Sequence, residues 1–324
     1  MFSVRLSSRL LALFSFAFYV PSATGLGQQP IQIKFRTAAQ SMIIVPVTIN
    51  GVGPFDFALD TGSTSSMVDR KLAEQLHLPL IGKTIVETAQ GQAPTLLVHA
   101  NSVRMADADT IGLDLFVLDH YAASLPKVRG ILGEDFLVHF DVYIDYRHHL
   151  IQLESGSGRL GEMLVGEHLP LSSYGSRGEK LDSDRLVIVG HFDEIGNKDA
   201  KLQLDSGVPY LVLCSQGSRP GILNEPQTFP VTGLLGSSFA AYSQTAHLRV
   251  GRFFSDVTVI VPAQNIHPLS VDGFLPTSLF RTIFISHSGR FVILNPTAKP
   301  ALAQSKPPSR IDTEITDADT LRTE

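Results

Sequence analysis

The sequence predicts an all-β fold of two pseudo-symmetric lobes with a cleft between them. Three observations carry this expectation. Short runs of alternating apolar and polar residues, each closed by a turn signal, dominate the chain from about residue 30 onward. A pattern in the first half returns in the second in the same order and with similar spacing. The chain's 324 residues, 44% hydrophobic and 18% charged, suffice for about two cores of ordinary domain size.

Taken in order, the chain begins with Arg5 and Arg9, an apolar run from Leu10 to Val20, and the small residues Ser22, Ala23, Thr24 and Gly25. Charge, apolar run and small residues in that order read as an export signal over residues 1–25, so an exported, periplasmic or extracellular location is expected. The run is shorter than the roughly 20 apolar residues of a membrane span, so no span is expected after signal cleavage. Retention as an uncleaved anchor is the alternative.

Met42 to Ile49 is rich in β-formers and ends at Asn50-Gly51, a hairpin turn signal. Phe55, Phe57 and Leu59 alternate with small or polar residues as a half-buried strand does. Val68, Leu72, Ala73 and Leu76 share one helical face, which predicts a helix over residues 68–76. A second hairpin reads from Val142–Asp145 into Leu150–Leu153. These elements define a first lobe over residues 30–154 and a Gly/Ser-rich linker over 155–168. A second lobe covers 169–296, and a polar tail over 297–324 is expected to be disordered.

Composition narrows the function. Net charge is −5 and the pI is about 6.1, without the basic excess of a nucleic-acid partner. The single cysteine, Cys214, makes no internal disulfide and no thiolate cage, and its apolar neighbours Tyr210 to Leu213 mark it as a small buried hydrophobe.

The repeat is the informative feature. Leu59-Asp60-Thr61-Gly62 recurs as Leu204-Asp205-Ser206-Gly207, an offset of 205 − 60 = 145. Gly91 matches Gly236 and Arg104 matches Arg249 at the same offset. Val128 to Gly133 then aligns with Val271 to Pro276, and Val142-Tyr143-Ile144 with Ile283-Phe284-Ile285.

An Asp at a strand end, followed by a small hydroxyl residue and glycine, suits a defined task. Glycine permits a tight turn and close approach of another segment. The hydroxyl of Thr61 or Ser206 can hydrogen-bond backbone and lock that turn. Two such units about a pseudo-twofold bring Asp60 and Asp205 face to face. Two carboxyls at contact distance share one proton and titrate as a unit. The charged member can take a proton from a water held between them, while the protonated member hydrogen-bonds a peptide carbonyl. No metal or other cofactor is required.

Phe57 to Ser63, with Gly130-Ile131-Leu132-Gly133 downstream, resembles the retropepsin-like aspartic peptidase family, over most of residues 40–154 and more weakly over 169–296. The pairing of two such units in one chain is similar to the bilobal pepsin plan. The resemblance implies an aspartic endopeptidase acting on peptide or protein substrates, with Asp60 and Asp205 catalytic. It implies support from Thr61, Gly62, Ser63, Ser206 and Gly207, and packing of Ile131-Leu132-Gly133 beneath the first loop. Gly91 and Gly236 fall where flaps closing over a peptide lie. Three departures stand out: Pro276 replaces Gly133, Val208-Pro209 replaces the residues after the first glycine, and no flap tyrosine lies near Gly91.

Those departures keep other readings open. A degenerate second lobe makes Asp205 structural, with activity only in a homodimer that joins two Asp60 residues. A catalytically inactive peptide-binding or scaffold protein with the same fold is the other alternative. A monomer is the leading expectation. Gly156 to Gly161 fits Gly-x-Gly-x-x-Gly, but Gly166 and Pro170 break the helix a dinucleotide site needs. His148-His149 reads as an exposed turn, with Asp141 and Asp145 as turn and strand-edge carboxylates. Arg104 and Arg249 read as structural ion-pair partners. No Gly-x-Ser-x-Gly elbow supports a serine hydrolase.

Overall fold

Asn50 and Gly51 both take positive φ, 51° and 76°, and join the first long hairpin through the two-residue turn that Asn-Gly favours. A computed structural model describes residues 29–88, 91–118, 125, 127–156, 158–182, 185–195, 199–214, 228–232, 238–263 and 270–299. The expected export signal and all of the tail beyond Lys299 lie outside the described residues.

The first half runs through β1 (Ile31–Lys34), β2 (Arg36–Ala38), β3 (Met42–Ile49), β4 (Val52–Leu59) and β5 (Met67–Asp69) into a short helix α1 (Arg70–Gln75). It continues with β6 (Leu80–Thr88), β7 (Gly91–Met105), β8 (Ala108–Leu118), β9 (Val128–Leu132), α2 (Glu134–Leu137), β10 (Asp141–Asp145) and β11 (Leu150–Glu154). After α3 (Arg159–Glu162), β12 (Leu164–Val165) and β13 (Leu169–Pro170) come β14 (Val187–Phe192), β15 (Asp199–Asp205) and β16 (Leu211–Leu213). The chain then forms β17 (Thr228–Thr232), β18 (Ser238–Val250), β19 (Phe253–Pro262), β20 (Gly273–Pro276), β21 (Thr282–Ser286), β22 (Phe291–Leu294) and β23 (Thr297–Ala298). The fold is all-β, as the alternating pattern predicts.

Strand order repeats between the halves. The first large sheet is ordered β2-β3-β4-β9-β5-β8-β7-β6 and the second β14-β15-β20-β16-β19-β18-β17. Apart from the edge strand β2, each strand of the first has a counterpart in the same position in the second. Both sheets curl back on themselves, through Thr48–Arg104 in the first and His191–Arg249 in the second. In both, the strand leading to the Asp pairs in parallel with a later strand, Leu59 against Leu132 and Leu204 against Leu275. A third sheet, β1-β11-β10-β21-β22-β13, joins the halves at its centre, where Val142 faces Ile285 and Ile144 faces Ile283.

The core follows from the period of two: inward residues Ile43, Val45, Val47, Phe57, Leu59, Leu202, Leu204 and Leu248 are essentially inaccessible and belong to one continuous apolar cluster. Cys214 is buried, as its neighbours imply.

Several expectations need correction. The proposed linker contains α3 and β12, and β12 pairs with β23, so Thr297–Ala298 is a strand rather than part of a disordered tail. Two-residue strands have no periodicity to read; they exist because a partner is present. The predicted helix over residues 68–76 begins only at Arg70, because Val68 lies within β5 and the Asp69 carboxylate caps the Leu72 N–H at 2.9 Å. Asp141 is not an edge carboxylate but a buried one, which accepts from the Ser288 N–H at 3.1 Å and the Ser288 hydroxyl at 2.9 Å. Asp145 is also buried, and its bond to exposed His148 at 2.7 Å holds its carboxyl below the usual range despite burial. Arg104 pairs with Asp109 at 3.2 Å, whereas Arg249 stands opposite His191 in the strand pairing. Among the described residues no helix is long and apolar enough to cross a membrane.

Candidate active site

Strand β4 ends on buried Phe57-Ala58-Leu59 and β15 on buried Leu202-Gln203-Leu204-Asp205, and the chain turns at Asp-Thr-Gly and Asp-Ser-Gly. The turns meet. A side chain on Gly62 would put its Cβ 2.4 Å from Asp205 Cγ, and one on Gly207 would put its Cβ 2.8 Å from Asp60 Oδ2. Each glycine is therefore the floor on which the opposite carboxyl rests, and any Cβ would displace it.

The hydroxyls lock this arrangement across the two loops rather than within each one. Thr61 Oγ1 donates to Leu204 O at 3.2 Å and accepts from the Ser206 N–H at 3.0 Å. Ser206 Oγ donates to Leu59 O at 2.8 Å and accepts from the Thr61 N–H at 3.1 Å. The expectation that each hydroxyl braces its own turn is corrected: the partner of each is the other loop. Both side chains are buried, so the four bonds form away from competing water.

Within each loop the glycine N–H holds its own Asp, Gly62 to Asp60 Oδ1 at 2.9 Å and Gly207 to Asp205 Oδ1 at 2.7 Å. The Asp60 and Asp205 carboxyls are in hydrogen-bond contact with each other. Burial, and next the charge of Asp60, push the Asp205 carboxyl well above the usual carboxylate range. Burial also raises Asp60, though the Gly62 N–H, the Asp205 carboxyl and the Ser63 N–H pull the other way. The arrangement retains one proton between two carboxyls under conditions where isolated ones have lost theirs.

Ile131, Leu132 and Gly133 adjoin the first Asp loop. Asp60 N–H donates to Leu132 O at 3.0 Å, and Ile131 and Leu132 are buried beneath the loop. The Gly133 N–H donates to Ser66 Oγ at 2.9 Å, and a Cβ at Gly133 would meet Ser63 O at 2.8 Å. Ser63 O in turn accepts from the Glu134 N–H at 2.8 Å. Pro276 stands beside Asp205 at the corresponding place. The next residue, Thr277, is buried and its hydroxyl lies 2.6 Å from the Tyr146 hydroxyl. Burial pushes the Tyr146 phenol above its ordinary value, and the nearby Asp205 charge adds to this. Gly91 opens β7 at the tip of the β6–β7 hairpin, with positive φ (132°). Gly236 lies outside the described residues.

The sequence reading missed several residues that shape the site. Gln203 is buried two positions before Asp205; its Nε2 donates to Gly62 O at 2.9 Å, and its Oε1 accepts from Arg185 at 3.3 Å. A glutamine inside an apolar strand was the available signal. Asp135 accepts from the Ser66 N–H at 2.7 Å and tethers α2 to the chain after the first loop. His287 and Glu134, from opposite halves, are both buried and bonded at 2.7 Å (Nε2 to Oε2), while His287 Nδ1 lies 2.6 Å from Phe140 O. Burial alone would lower the His287 imidazole, but Glu134, then Phe140 O and Asp141, outweigh it and the net shift is upward.

The family model for aspartyl protease matches residues 45–136. No curated protein matches the chain. Among solved structures, a retropepsin-like aspartic protease from Rickettsia conorii matches at 19% identity with a TM-score of 0.30, over 38% of this chain and 89% of that one. Residues 45–136 of this chain are thus similar to the aspartyl protease family.

Proposed function

We propose that the chain is an exported aspartic endopeptidase that arose by internal duplication and hydrolyses peptide bonds with a water activated between Asp60 and Asp205. The observation that carries this reading is the mutual seating of the loops, in which each glycine lies under the other half's carboxyl and each hydroxyl bonds the other half's backbone. A structural Asp-Gly turn requires no such partner. Asp60 already meets a second carboxyl within its own chain, which favours a self-contained monomer over a homodimer joined through two Asp60 residues.

The chemistry follows from the shared proton. The ionised carboxyl accepts a proton from the water as it attacks the substrate carbonyl. The protonated carboxyl hydrogen-bonds the carbonyl oxygen as charge develops there. The proton then passes to the leaving amine, and the pair returns to one proton. Main-chain groups at the β6–β7 hairpin tip are suited to hold an extended peptide by strand-like bonds. Release of the second proton ends the cycle, so the rate falls on the alkaline side.

The test is cleavage of a mixed peptide library by the mature chain from pH 3 to 8. Cleavage at internal bonds with a maximum on the acidic side is expected. A rate that only rises all the way to pH 8 contradicts the shared-proton mechanism. Binding of peptides without cleavage at any pH would favour the inactive scaffold reading.

A further inference from the structure

The two Asp loops repeat each other closely, and the place where they differ is informative. On β15, Leu202 and Leu204 face the core, so Gln203 shares the opposite face with Asp205. On β4 the position equivalent to Gln203 is Ala58, by the 145-residue offset and by strand register, since Ala58 faces Ile131 and Gln203 faces Phe274. Alanine has no polar group to offer, so only one loop receives a side-chain amide from the other half.

That amide has one orientation. Arg185 only donates, so the Gln203 atom facing it is the oxygen; Gly62 O only accepts, so the atom facing it is the NH₂. The cation behind the amide oxygen polarises the amide and strengthens its bond to Gly62 O. Gly62 O belongs to the peptide whose other end is the Ser63 N–H. That N–H points back at Asp60, 3.2 Å from its backbone oxygen and facing its carboxyl.

We infer that Gln203, held by Arg185, is a positioning residue for Asp60: it fixes and polarises the Gly62–Ser63 peptide so that the N–H stays aimed at the Asp60 carboxyl. The inference rests on the peptidase reading only for its kinetic consequence. Gln203 touches no reacting atom. It acts through the peptide, and it favours the ionised form of Asp60 over that of Asp205, whose loop faces Ala58 at the equivalent position. Among the described residues, the ionisable groups facing this assembly are Asp60, Asp205, Arg185 and, beyond Asp205, Tyr146.

The experiment compares wild type with Gln203→Met, which keeps length and removes the donor, and Arg185→Leu, which removes only the polarising cation. Two readouts are taken from pH 3 to 8: kcat and KM on a peptide substrate, and the titration of the Asp60 and Asp205 carboxyl carbons by NMR. Gln203→Met is expected to lower kcat about tenfold with KM within about twofold, the pattern of a lost transition-state contribution. Its acid limb and its Asp60 titration are expected to move up by about 0.5–1 pH unit, with Arg185→Leu following in the same direction by less. A folded Gln203→Met with an unmoved acid limb and Asp60 titration overturns the inference, as does a rise in KM with kcat unchanged. If Gln203→Met does not fold, a folded Arg185→Leu with an unmoved Asp60 titration overturns it. If the wild type cuts nothing, the carboxyl titration alone decides, so loss of the peptidase reading is told apart from loss of this one.

Discussion

Replacing Thr61 with valine keeps the shape of the side chain and removes its hydroxyl. Two bonds disappear: the one Thr61 donates to Leu204 O at 3.2 Å and the one it accepts from the Ser206 N–H at 3.0 Å. Thr61 is fully buried and Ser206 is 2% exposed, so water does not take the hydroxyl's place. Each bond contributes about 1 kcal/mol net, and a buried group left without its partner costs about 1–3 kcal/mol. Part of this is recovered by relaxation of the loops, which puts the loss at about 2–4 kcal/mol. For a folded region of this size that corresponds to a Tm lower by roughly 5–10 °C. Urea unfolding followed by circular dichroism, with an unchanged m-value, measures the effect directly. Thr61→Ser keeps the hydroxyl and is expected to lose less than about 1 kcal/mol, mainly for the missing methyl. The reasoning fails if Thr61→Val unfolds within about 0.5 kcal/mol of wild type, or if Thr61→Ser falls as far as Thr61→Val.

Two further outcomes follow. Gly62→Ala forces its Cβ against a carboxyl that the Gly207 N–H holds at 2.7 Å, so cleavage is expected to drop by about 100-fold or more. Gly207→Ala, with its nearest contact at 2.8 Å rather than 2.4 Å, should be the milder variant, and full activity in Gly62→Ala would refute the seating. His287 bonds two acceptors, Glu134 and Phe140 O, which requires a proton on the pair beyond a neutral imidazole facing a carboxylate. Because its folded value is raised, its contribution is complete below the ordinary histidine value and is lost as pH rises through the folded one. His287→Phe should therefore cost about 3–5 kcal/mol at pH 5 and less at pH 8; a gap that does not change with pH would contradict the protonated pair.

Much of the fold was legible because strands write themselves with a period of two. Met42–Ile49 and its Asn50-Gly51 turn, the alternation ending in Asp60, and the hairpin from Asp141 to Glu154 need no distant partner to be recognised. The two Asp motifs were legible as a pair because the halves repeat in the same order with similar spacing. The contacts between the motifs were not. A threonine beside an aspartate gives no sign that its hydroxyl reaches Leu204 O, since local and cross-chain bonds satisfy it equally. Gln203 and His287 were missed for a related reason: a polar residue in an apolar strand becomes informative only once its partner is known, and Gly62 and Glu134 lie far away in sequence. The short strands β12 and β23 carry no signal of their own and form through their mutual pairing.

The central claim is that one chain supplies both carboxyls, and it is tested most directly by assaying Asp60→Asn and Asp205→Asn alone and mixed, with solution mass measured alongside. The account predicts an active monomeric wild type, two silent variants, and a mixture that stays silent because neither chain holds both carboxyls. Cleavage by Asp205→Asn at the wild-type rate, in a protein with the mass of a dimer, would contradict it and assign the reaction to two Asp60 residues from different chains.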